Sequence, residues 1–107
     1  MFFLLVLLLY SSLPISIHGN NSLIDAARKS DLSLFLSILQ STPTINFNYK
    51  NDAGATALQW AAYNGNFEMV DALISSGADI DLSNDLGYTP LISAIMNKHT
   101  DVALYLI

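Results

Sequence analysis

The sequence predicts an all-α solenoid in which short helix-turn-helix hairpins stack side by side, and three observations predict it. Aligned against itself, the chain repeats at a constant offset of 33: Gly54, Thr56, Leu58 and Ala61 fall on Gly87, Thr89, Leu91 and Ala94. Further along, Glu68, Met69, Leu73 and Ile74 fall on Asp101, Val102, Leu106 and Ile107. Within a unit, apolar residues recur at helical spacing on two successive segments, each bounded by a capping or turn residue. A unit of this length cannot bury its apolar face alone, so it must stack on its neighbours.

Residues 1–19 stand apart from this pattern. Phe2 to Leu9 run Phe-Phe-Leu-Leu-Val-Leu-Leu-Leu, followed by Tyr10, Ser11, Ser12, Leu13 and Pro14. Crossing a bilayer takes roughly twenty apolar residues, and Ser11, Ser12 and Pro14 interrupt this run sooner, so it has the length of a signal-peptide core. Gly19 puts a small residue at the last leader position, with Ile17 two before it, although no Lys or Arg precedes the apolar run. The segment is read as a signal peptide over 1–19 and the protein as exported or secreted. An uncleaved membrane anchor is the alternative, and the membrane would then be met only through this segment. Asn20-Asn21-Ser22 fits the N-glycosylation acceptor pattern directly after the expected cut.

Residues 20–107 form the repeat domain, with units at about 20–50, 51–83 and 84–107, the last truncated. The first unit aligns with the second at an offset of 35, which places Leu23, Ala26 and Ala27 on Leu58, Ala61 and Ala62, and Ile38 and Leu39 on Leu73 and Ile74. In the second unit Thr56 is a good N-cap, Leu58, Ala61 and Ala62 form an apolar stripe, and Asn64-Gly65 stops it. Phe67, Val70, Leu73 and Ile74 share one face of the next helix, and Gly77 is placed to end it in the left-handed conformation. The third unit opens on Thr89-Pro90, where Thr caps and Pro gives up a donor that would have been unpaired anyway. Lys98 stands where Gly65 does, which predicts a looser hairpin turn. Val102, Ala103, Leu106 and Ile107 are expected to face a repeat that does not follow, so the chain is read as a piece of a longer protein or as pairing through that end.

Gly54-Ala55-Thr56-Ala57-Leu58-Gln59-Trp60-Ala61-Ala62, then Gly65, then Val70 through Asp81, resembles one ankyrin repeat almost end to end, and Gly87 through Ala94 opens another. The resemblance implies an ankyrin-repeat solenoid that binds a protein partner, with a degenerate N-terminal capping unit from about Ser22 whose solvated side carries Asp31, Ser33, Ser37 and Gln40. It implies a partner surface on the turn tips and first helices: Asp52, Ala53, Ala55, Tyr63 and Asn64 in the second unit, and Asp85, Leu86, Tyr88, Met96 and Asn97 in the third. Tyr63, Tyr88 and Met96 would anchor the partner, unless the two tyrosines merely pack on neighbouring turns. Trp60 is read as core-edge packing. The chain departs from the family where a His normally bridges neighbouring repeats: Gln59 stands there in the second unit and keeps part of that ability, whereas Ile92 in the third does not.

Composition narrows the function. A chain of 107 residues, 52% hydrophobic, suits one small domain. Its net charge of −5, with Arg28, Lys29, Lys50 and Lys98 scattered, argues against nucleic acid. Cysteine is absent, which removes disulfides, thiolate nucleophiles and zinc-cysteine clusters. Asp79, Asp81, Ser83 and Asp85 alternate like the start of a calcium loop, but Asn84 and Pro90 stand where Gly and Glu are needed, so they are read as inter-repeat turn residues. His99 has no partners for a triad or ligand set and is read as a polar turn residue. No catalysis, cofactor, metal or small-molecule substrate is expected. A further alternative makes the repeats a targeting or regulatory part of a longer enzyme.

Overall fold

In the computed structural model, which describes residues 16–41 and 44–107, six helices follow one another and no strand occurs among the described residues. They are α1 (Ser16–Arg28), α2 (Leu32–Ser41), α3 (Ala57–Asn64), α4 (Phe67–Ser75), α5 (Pro90–Met96) and α6 (Thr100–Leu106). Each odd-numbered helix pairs with the next as a hairpin. The first helices α1, α3 and α5 pack closely in one layer, and α2, α4 and α6 lie more loosely behind.

The helices begin where the sequence supplies a side-chain acceptor. Thr56 Oγ1 accepts from the Gln59 N–H at 3.2 Å, Asn66 Oδ1 from Met69 at 3.2 Å and Thr89 Oγ1 from Ile92 at 3.3 Å, each satisfying a first-turn donor that has no intrahelical partner. Gly77, at φ 95°, follows α4; its N–H reaches Ile74 O at 3.1 Å, and that of Ala78 reaches Leu73 O at 3.0 Å, which closes the helix as expected.

The three hairpin turns share one geometry. Ser30, Gly65 and Lys98 take left-handed φ of 55°, 70° and 61°, and their N–H groups donate to Ala27, Ala62 and Ile95 carbonyls at 3.1, 3.2 and 3.0 Å. The next residues, Asp31, Asn66 and His99, close on Ala26, Ala61 and Ala94 at 2.9, 3.0 and 2.9 Å. The Lys98 turn is therefore as tight as the Gly65 turn, contrary to the looser turn its side chain predicts, because the two hydrogen bonds hold lysine in the strained region. Lysine there costs about 1–2 kcal/mol, offset by about 0.4–1 kcal/mol of lower unfolded-state entropy. Lys98→Gly should accordingly raise the unfolding free energy by about 0.5–1 kcal/mol, read as a higher urea midpoint at unchanged slope; an unchanged or lower midpoint would show that the turn stores no strain.

The stack buries one continuous seam. Leu23, Ala26, Ala27, Leu58, Ala61, Ala62, Val70, Leu73, Ala94 and Val102 belong to a single buried cluster, with Leu91 half-buried against it. Alanines at 27, 61, 62 and 94 let the first helices approach, while the branched side chains each contribute about 1.5–3 kcal/mol on full burial. Across the back layer, the Phe67 and Tyr105 rings meet edge to face at 5.1 Å, and Tyr105 donates its hydroxyl to Asp71 Oδ1 at 2.6 Å. That hydrogen bond, then desolvation and the Asp71 charge, holds the Tyr105 hydroxyl above the ordinary tyrosine value. The pair's contribution is thus complete below pH of about 10 and is lost as pH rises through the raised value.

Helix α1 starts at Ser16 and continues past the expected boundary between residues 19 and 20; the apolar run Phe2–Leu9 lies outside the described residues. Two expectations change. Asn20 is 6% exposed and its Oδ1 accepts the Asn46 N–H at 2.9 Å, which leaves no room at this side chain for a glycan. Val102, Ala103 and Leu106 are buried because, like Met69, Val70 and Leu73 before them, they turn into their own hairpin and the preceding unit. Ile107 is exposed as expected, and Ile92, Ile95, Met96 and Leu104 are exposed with it. Asp31, Ser33, Ser37 and Gln40 lie on the solvated side of the first unit as expected.

Candidate functional site

Two matching turns project from the first helices. In the second unit Asn51 Oδ1 accepts the N–H groups of Ala53 and Ala55, both at 3.0 Å, and the Asn51 N–H returns to Ala55 O at 3.0 Å. In the third, Asn84 Oδ1 accepts from Leu86 and Tyr88 at 3.0 Å, and its N–H returns to Tyr88 O at 3.0 Å. An asparagine amide oxygen that mimics a backbone acceptor shapes each tip, and Gly54 and Gly87 supply the positive φ of 74° and 83° that the bend requires. The tips are tied together: Asp85 N–H donates to Ala53 O at 3.3 Å and Lys50 Nζ to Ser83 O at 2.9 Å.

Between these tips and the helices α3 and α5 lies a cavity of about 360 Å³. Of the ten residues expected at a partner surface, it brings together Ala53, Ala55, Tyr63, Asp85, Leu86 and Tyr88, and Gln59, Trp60, Asn84 and Ser93 complete the lining. Tyr63, Asp85, Leu86 and Tyr88 are exposed; Ala55 is buried and reaches the cavity only as floor. Trp60, half-buried, meets the edge of Tyr63 with ring centres 5.5 Å apart.

The floor carries the polar groups. Gln59 Nε2 donates to Ser93 Oγ across the two units, an inter-unit bridge at the position where the ankyrin resemblance implies a histidine. Gln59 Oε1 and Trp60 Nε1 are shielded from solvent and have no hydrogen-bond partner among the described residues. Ser93 occupies in the third unit the position that Trp60 holds in the second, and its small side chain leaves the space open.

The other four expected residues lie outside the cavity lining. Asp52 is exposed on the second tip. Asn64 donates both Nδ2 bonds backward, to Ala27 O at 3.0 Å and Arg28 O at 2.9 Å, and so joins the second unit to the first. Asn97 Nδ2 caps its own helix on Ser93 O at 3.1 Å, and Met96 is exposed at the end of α5. His99 is a bridge: its Nε2 bonds Tyr63 O at 3.0 Å, and its ring fills the space where a Cβ on Gly65 would stand. Asp79 is spent on its own turn, its Oδ1 accepting the Asp81 N–H at 3.0 Å, and among the described residues no three His, Asp or Glu side chains gather as a metal-holding set. Gln59, Asn84 and Ser93 were not expected at the site, nor was Trp60, which is read from the sequence as core-edge packing and here lines the cavity half-buried. Asn84 was legible, since asparagine recurs at 51 and 84, three residues before each tip glycine; Ser93 carries no such local signal.

Comparison with known proteins places these features. A family model for ankyrin repeats in three copies matches residues 7–107, a span that starts inside the expected leader. The Notch-regulated ankyrin repeat-containing protein of Homo sapiens is 38% identical over 85 residues, 78% of this chain and 75% of the relative. Palmitoyltransferase AKR1 of Candida glabrata is 34% identical over 92 residues, 83% of this chain but 12% of the relative. Among solved structures, a chain from the complex of the Bd0816 predatory endopeptidase of Bdellovibrio bacteriovorus with immunity protein Bd3460 superposes with a TM-score of 0.74 at 34% identity over 79% of this chain. The present chain spans 44% of that one.

Proposed function

The chain belongs to the ankyrin-repeat family, and from that premise we propose that it is a non-catalytic module that holds a protein partner on the concave face between the second and third units. The proposal rests on one observation: Tyr63, Leu86 and Tyr88 stand exposed around a cavity whose floor is fixed by the inter-unit bond from Gln59 to Ser93. Aromatic side chains placed on a rigid frame supply contact area at small entropic cost and dominate binding energy.

The test is capture of a cross-linked partner by the full chain and by Tyr63→Ala/Tyr88→Ala, with the helical signal checked for both. Truncating central aromatic anchors costs about 2 kcal/mol or more, so captured partner should fall by at least tenfold. Undiminished capture by the folded double variant would remove this surface.

Export belongs to the same proposal and is supported by the signal-type run Phe2–Leu9. Cleavage after Gly19 would start the mature chain inside α1 at Asn20, still able to hold the Asn46 N–H. Mass spectrometry of the mature protein should find that start; an intact Met1 on membrane-bound material would favour the anchored alternative. A second reading, the targeting part of a longer enzyme, is supported by the likeness to a palmitoyltransferase in which the matched region is a small fraction. An in-frame coding continuation past Ile107 into a catalytic region would favour it.

A further inference from the structure

We infer that the cavity between the second and third units receives an arginine side chain of the partner. This names the chemistry of the partner-binding surface proposed above and rests on that proposal.

Size comes first. At about 360 Å³ the cavity lies at the low end of the roughly 300–1,000 Å³ in which small ligands sit. It suits one long side chain better than a nucleotide or a flavin. The walls come next. Ala53 and Ala55 offer alkyl surface, and Trp60, Tyr63 and Tyr88 offer rings, against which a guanidinium plane stacks and its methylene stem packs.

The polar groups then select among long side chains. Asp85 is the one acidic side chain among the lining residues, and its carboxylate lies against Gly54, where a Cβ would collide with it. It has no ion-pair partner within the described structure, where the single salt bridge is Arg28 to Asp25. The nearby ammonium of Lys50 is turned onto the Ser83 carbonyl. On the floor, Gln59 Oε1 is an acceptor without a donor. A carboxylate and a lone amide oxygen on one cavity call for a cation with several donors in a plane, which is the guanidinium fork. Lysine brings a compact point charge that stacks poorly, and an apolar anchor of equal length would desolvate Asp85 and leave Gln59 Oε1 unpaired. The net charge of −5 steers a basic segment toward the chain in the same sense. Trp60 Nε1, the unpaired donor on the floor, is left for a carbonyl of the segment that carries the arginine.

Trp60 is the single tryptophan, so its fluorescence and indole N–H resonance report on this cavity alone. The full chain is titrated with acetyl-Gly-Arg-Gly-amide and with its lysine, leucine and citrulline counterparts, the last being the neutral isostere of arginine. The arginine peptide should give a saturable change in both signals at least fivefold tighter than each of the other three. Asp85→Asn should bring the arginine and citrulline peptides within twofold of each other, while Asp101→Asn, the same charge change on α6, should leave the preference intact. Equal binding of citrulline or leucine, equal loss in Asp101→Asn, or no saturable response to arginine would each overturn the inference. If arginine fails while Tyr63→Ala/Tyr88→Ala still abolishes partner capture, the chemistry is wrong and the surface stands; if capture is also unaffected, the surface itself is wrong.

Discussion

Replacing Leu58 with alanine lowers the unfolding free energy by about 2–5 kcal/mol, the range for leucine deletions in packed cores. Leu58 has no solvent exposure and sits in the seam that runs through all three units, so the cavity left behind is shared between neighbours and neither hairpin can collapse into it alone. Domains of this size hold about 5–15 kcal/mol in total, so the variant should melt far earlier, with helical circular dichroism and Trp60 fluorescence changing together if the array unfolds as one unit. Leu104→Ala is the matched control: Leu104 is 68% exposed, and its loss should stay within about 0.5 kcal/mol. Equal losses for the two variants would mean that no shared seam exists.

Gly65→Ala is expected to cost about 1.5–2 kcal/mol after the same unfolded-state offset as at Lys98, although it adds one methyl group at a turn. Gly65 has φ 70°, where a residue with a Cβ loses about 1–2 kcal/mol, and that Cβ would meet the His99 imidazole. Displacing the ring breaks its bond to Tyr63 O, worth about 1 kcal/mol net. A double-mutant cycle with His99→Ala separates the two causes, because removing the ring should recover the packing share of the loss and leave the backbone share. Strict additivity of the two substitutions would show that His99 and Gly65 do not touch. The same cycle should move the Tyr63 side of the cavity, since the bridge ends on the residue that forms its wall.

The chain's local signals were readable in order along it. The caps at Thr56 and Thr89, the closing glycines at 65 and 77 and the buried alanines depend on residues within one or two helical turns of each other, and the 33-residue period repeats that local pattern, so the residues alone determine a stack of helical hairpins. Six of the ten expected surface residues converge on one cavity for the same reason, since the tips repeat wherever the period does. Other features were settled by neighbours far away along the chain. Asn64 and Asn97 hold equivalent positions in consecutive units, yet one bridges to the first unit through the Ala27 and Arg28 carbonyls and the other caps its own helix. The difference lies in the second carbonyl: Arg28 O accepts from Asn64, whereas its counterpart Tyr63 O takes the His99 Nε2 bond, which no single-unit pattern encodes. Likewise Lys98 adopts a glycine's conformation because two hydrogen bonds outweigh its strain, and Ser93 opens a cavity only because stacking brings it beside Gln59 and Trp60. Local periodicity dictates which elements form; the offset and contact between stacked elements, a property of their packing, dictates which side chains are left free to bind.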